Sequence, residues 1–143
     1  MSLALRSECG ARYLYRFLRR RSLGNELRRV LEELEGEERE LIDAVAELMS
    51  EIGPEPRKWA FRRWVGSVAV WCFSVMIGVR FALRLSVDAE WTVARWYSEY
   101  ARFLAEGGDV ERAERCAAFV TTKQRHAQIL QTWVNHGHRS GSA

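Results

Sequence analysis

The same pattern is written twice in this chain. One copy is Glu8-Cys9-Gly10-Ala11-Arg12-Tyr13-Leu14-Tyr15 and the other is Glu90-Trp91-Thr92-Val93-Ala94-Arg95-Trp96-Tyr97, each with Glu first, a small residue or valine fourth and Tyr eighth. A turn and an apolar stripe follow each copy. The first stripe is Leu31, Leu34, Glu38, Leu41, Val45 and Leu48; the second is Cys116, Phe119, Lys123, His126, Leu130 and Trp133, at identical steps of three and four. The leading Glu stands 38 − 8 = 30 residues before the first polar stripe position and 123 − 90 = 33 before the second, a difference that the Gly107-Gly108-Asp109 turn absorbs. A duplicated helix pair with a long connection predicts an all-α, four-helix bundle with a crossover.

Helical periodicity locates the parts. The first helix is expected from Ser2 to Arg21, with Leu5, Glu8, Ala11, Tyr15 and Leu18 on one face, then a turn at Ser22–Asn25. The second runs from Asn25 to Ile52, where Gly53-Pro54-Glu55-Pro56 stops it, since proline cannot continue a helix. The crossover helix is expected over Trp59–Leu85 and the next bundle helix over Ser86–Ala105. The last starts after Asp109, a good N-cap, and reaches about Asn135. With 143 residues and 48% hydrophobic content the chain suits one cored domain, residues 1–136, with a disordered small-residue tail over 137–143.

Trp64–Val79 carries no charge and has arginines at both ends. It is shorter than the roughly 20 residues that span a bilayer. A buried crossover is the first reading; a surface for a membrane or an apolar ligand is the second. Gly66, Ser67, Ala69 and Gly78 would let neighbours approach closely, and pairing of two crossovers would make a homodimer. Cys9, Cys72 and Cys116 are scattered among apolar residues with no secretory leader ahead of them, which reads as a reduced, cytoplasmic protein, peripheral to a membrane if the crossover is exposed. The basic tract Arg16, Arg19, Arg20, Arg21 reads as a solvated helix end. No nucleic-acid-reading module accompanies it, so no nucleic-acid partner is expected. Most of the six tryptophans are expected to pack in the core.

Glu8, Glu38, Glu90, Lys123 and His126 all occupy positions that should face inward. A buried carboxylate costs several kcal/mol unless it is paired or bound to metal, and polar groups sent inward from four helices suit a carboxylate-bridged metal centre. In order, spacing and duplication the chain resembles the ferritin-like superfamily, especially rubrerythrin-type proteins and the demethoxyubiquinone hydroxylase family, over nearly its whole length. That resemblance implies a lone Glu from the first and third helices, Glu-x-x-His from the second and fourth, and two iron or manganese ions in an oxidoreductase that activates dioxygen or peroxide. Glu8 and Glu90 match the lone glutamates, Glu38 matches the second-helix glutamate and His126 the fourth-helix histidine. The chain departs twice: Leu41 stands at one histidine position and Lys123 at one glutamate position. A one-residue shift offers Glu37 and Glu40 instead, at the expense of the apolar seam.

Losing a bridging carboxylate to lysine removes one negative charge and adds a positive one. The half built from Glu8 and Leu41 is therefore weakened, while Glu38, Glu90 and His126 suffice in number for one divalent ion. The alternative is a metal-free core in which Lys123 stands in for the missing cations. Tyr15 and Tyr97 are expected to hydrogen-bond buried carboxylates, and His136 and His138 to lie in a frayed terminus. No nucleophile–base pair, phosphate loop or zinc pattern is present. Two functions stay open: a dimetal-type oxidoreductase with an altered site, or a non-catalytic bundle that binds an apolar ligand or partner through its crossover.

Overall fold

The computed structural model describes residues 2–21, 24–52 and 78–136. Among them the chain is all-helical, with four helices and no strand: α1 (Ser2–Arg21), α2 (Asn25–Ile52), α3 (Val79–Glu106) and α4 (Val110–His136). Of the crossover helix expected over Trp59–Leu85, residues 59–77, with Cys72 and nearly all of the uncharged run Trp64–Val79, lie outside the described residues, as does the tail over 137–143. No described helix is long and apolar enough to cross a membrane. Packing divides the chain into two compact units, Ser2–Ala82 and Leu83–Ala143.

In the first unit α1 and α2 pack against each other. Three cross-links fix their register: Arg16 Nε donates to Glu35 Oε1 at 2.8 Å, Arg19 Nη1 to Glu32 Oε1 at 2.8 Å, and Arg19 Nη2 stands 3.6 Å from Glu35 Oε2. Two of these pairs share one sum, 16 + 35 = 19 + 32 = 51, as antiparallel helices require. The arginine tract at the end of α1 is thus partly taken up by α2, and Arg21 stacks over Phe17 at 5.2 Å. The exposed pair adds little stability, because solvent screens it. Its use is to hold the register. The α2 seam is buried as expected at Leu31, Leu34, Glu38, Leu41, Val45 and Leu48, with Glu35 added, while Leu27 is only half-buried.

In the second unit α3 and α4 also run antiparallel. Glu90 faces Lys123 and His126, and the Tyr97 ring meets Phe119 edge-on at 5.3 Å, so sums of 213 to 216 recur along the pair (90 + 123; 90 + 126; 97 + 119). The hairpin between them follows from two glycines and an aspartate. Gly108 takes a left-handed φ of 83°, its N–H donates to Ala105 O at 3.0 Å, and the Asp109 N–H donates to Leu104 O at 2.9 Å. That is a Schellman ending, which needs a residue without Cβ at the left-handed position. Asp109 then accepts from the Arg112 N–H at 3.3 Å and caps α4.

Three expectations are corrected. The break between Leu85 and Ser86 does not exist, because α3 runs unbroken from Val79 and nothing at that point stops a helix. Gly78 is no close-approach site: a Cβ added there meets nothing within 4 Å, and its φ of 90° lies in the left-handed region that favours glycine just before α3 begins. Trp91 and Trp96 are not core residues, being 40% and 37% exposed, and Trp133 is half-buried; Trp59, Trp64 and Trp71 lie outside the described residues.

Candidate metal centre

Seven of the described polar or charged side chains are buried, and five of them are the residues singled out by the stripes: Glu8, Glu38, Glu90, Lys123 and His126, each at most 2% exposed. Their burial follows from local structure. Glu38 sits between Leu34 and Leu41 in the α2 seam, and Lys123 and His126 lie one turn apart between Phe119 and Leu130 in α4. Glu90 shares the inward face of α3 with Val87, Val93 and Tyr97, and Glu8 shares that of α1 with Leu5, Tyr15 and Leu18.

The α3–α4 half holds the shortest contact. Lys123 Nζ stands 2.9 Å from Glu90 Oε2, both side chains almost fully buried. His126 Nδ1 lies 3.9 Å from the same oxygen. The lysine contact is a buried ion pair, whose Coulomb attraction has little angular dependence. Tyr97, about two turns further along α3 from Glu90, is fully buried, as is its repeat counterpart Tyr15.

Glu38, Glu90 and His126 each offer one ligand atom, and the three atoms lie within 4.8 Å of one another. Two carboxylate oxygens and an imidazole nitrogen suit a borderline divalent ion of the first transition row. The chemistry of the donor set is that of a group that could hold one metal ion.

Glu8 is buried but is not in that group. The α1–α2 register puts it at about the level of Leu41 to Val45, roughly a turn beyond Glu38, where the apolar Leu41 offers no donor. The shifted alternative does not point inward, since Glu40 is exposed and Glu37 half-buried. Two buried polar residues escaped the sequence reading. Glu35 is held by Arg16 and Arg19, and the signal for it was the arginine tract across the hairpin. Ser86, one turn before Glu90, is buried at 2%, with no feature in the sequence to mark it. Cys9 and Cys116 are buried free thiols, and burial pushes the Cys116 thiol above its usual range.

Comparison with known proteins gives no match to any protein-family model, curated protein or solved structure.

Proposed function

We propose that this chain is a ferritin-like helical protein, related to the dimetal-carboxylate oxidoreductases, whose centre is reduced to one divalent cation site at Glu38, Glu90 and His126. What carries the reading is the convergence of two buried carboxylates and an imidazole within 4.8 Å. In this reading the four helices form one bundle, and Lys123 supplies in covalent form the charge that a second ion supplies in the related centres. Glu90 has two oxygens, so one can serve the ion while Oε2 keeps its contact with the ammonium. Glu8 stays outside the ligand set as a buried polar group of α1. A single bound iron or manganese ion would supply one-electron redox chemistry. Glu38 and Glu90 would hold the cation by charge and His126 would supply its nitrogen donor, each from a side chain that is itself buried.

Metal counting tests this directly. The purified chain, loaded with manganese(II) or with iron(II) without oxygen, is expected to keep about one ion after gel filtration, and to lose it in His126→Ala and Glu38→Gln. Occupancy below roughly a tenth of an ion per chain overturns the proposal. The 2.9 Å contact between Lys123 and Glu90 favours one other reading, a metal-free ionic core. Absence of uptake from a fully folded chain would establish it.

A further inference from the structure

The outward face of α3 is unusual for a helix whose other face already packs into a core. Phe81, Leu85, Trp96 and Phe103 are 41%, 44%, 37% and 67% exposed. At 100° per residue they fall within about 60° of one another and more than about 120° from Glu90. These four apolar residues are spread over about 33 Å of the solvent side of the helix, with Thr92 and Glu99 in the same sector. On that side stand the exposed charges Arg84, Asp88, Arg95 and Glu99, plus, minus, plus, minus, followed by Arg102 and Glu106, which pair with each other along the helix at 3.9 Å.

That order is self-complementary when the helix meets a reversed copy of itself. Arg84 falls opposite Glu99 (84 + 99 = 183) and Asp88 opposite Arg95 (88 + 95 = 183). Phe81 falls opposite Phe103 on nearly the same sum (81 + 103 = 184). In an antiparallel pair related by a two-fold axis, each edge meets the same edge of the partner, so the pattern has to match itself. It does, four times per dimer. We propose that this face of α3 is a homodimer interface in which two copies pair antiparallel about an axis near Trp91 and Thr92.

Lipid is the competing occupant, and the charges argue against it. Asp88 lies beside the strip and Glu99 within it, so insertion would strip two carboxylates of water with no gain. A second copy instead offers each of them an arginine. The strip covers roughly 500 Å² per copy, about 1,000 Å² together, at the low end for a specific interface. The dimer is accordingly weak, and its register is set by charge.

The test is sedimentation equilibrium of the full chain at low and high salt. A reversible dimer with Kd on the order of 10 µM is expected, several-fold weaker at high salt where the ion pairs are screened. Arg84→Glu alone and Glu99→Arg alone each create two like-charge contacts and should weaken the dimer about tenfold or more. The double variant Arg84→Glu/Glu99→Arg restores opposite charges and should return to within about threefold of the native Kd. All four positions are exposed, so helicity and melting temperature serve as folding controls. The proposal is overturned by a chain that stays monomeric throughout, by single reversals without effect, by a double variant that is not restored, or by a monomer that binds vesicles containing phosphatidylserine through Trp96.

Discussion

Replacing Lys123 by Met isolates the contribution of the buried ammonium. Methionine keeps nearly the same length and volume, so no large cavity forms and the change is electrostatic. Glu90 Oε2, 2.9 Å from the ammonium in the native chain, then stays buried without that cation, with His126 Nδ1 at 3.9 Å. Breaking one side of a buried pair costs about 3 to 5 kcal/mol. For a chain of this size each kcal/mol lowers the melting temperature by roughly 3 °C, so a fall of about 10 to 15 °C is expected in circular-dichroism melts. Removing both partners, Lys123→Met with Glu90→Leu, should recover at least half of that loss, because an apolar pair needs no compensation. Manganese(II) should also rescue the single variant. At about a hundred times its Kd an ion contributes about 2.7 kcal/mol, or roughly 8 °C. A Lys123→Met chain melting within about 2 °C of the native one would refute the account of the ammonium as the counter-charge of this core. Rescue by manganese(II) in the double variant as strong as in the single one would refute the role of Glu90 as a shared ligand.

Two smaller expectations follow from the hairpin and from α4. Arg112 donates to Asp109 Oδ2 at 2.6 Å, and this hydrogen bond holds the Asp109 carboxyl below its usual range. Its folded value is lower than its unfolded one, so its stabilisation is complete above the ordinary carboxylate value near ~3.9 and is lost as pH falls through the folded value. Amide exchange in the first turn of α4, corrected for intrinsic rates, should gain protection over that rise in pH in the native chain and not in Asp109→Ala. Equal protection in both would remove Asp109 as the cap. Cys116, buried and with its thiol pushed up by desolvation, should resist iodoacetamide at neutral pH until denaturant opens the chain. Ready labelling of the folded protein would contradict its placement.

Much of the helical layout was legible because it is punctuated. α1 and α2 end where the arginine tract and the Gly53-Pro54 stop predict, and α4 starts after Asp109, since caps and breakers act locally. The start of α3 was misread for the converse reason. The charge-free run ahead of it suggested a separate helix, but a change in composition is no stop signal, and α3 continues through Leu85 and Ser86. The inward positions of Glu38, Glu90, Lys123 and His126 were legible from the three-and-four spacing, which also rejects Glu40. Distance was not. How close Glu8 comes to the other buried groups depends on how far one helix slides along another, which no spacing within a single helix records. The outer seam of α3 was present as a second stripe, Phe81, Leu85, Trp96 and Phe103, and was masked by the assumption that tryptophans belong inside.

The ammonium beside Glu90 has a consequence for supply. A dication reaches a protein from a pool that can run short, and a core that depends on it folds only as well as the cell is fed. A cation attached by four methylenes arrives with the chain during synthesis and cannot dissociate. The α3–α4 hairpin should consequently reach and keep its shape in metal-starved cells and in chelator. An ion held as proposed by Glu38, Glu90 and His126 would then be able to come and go without putting the fold at risk.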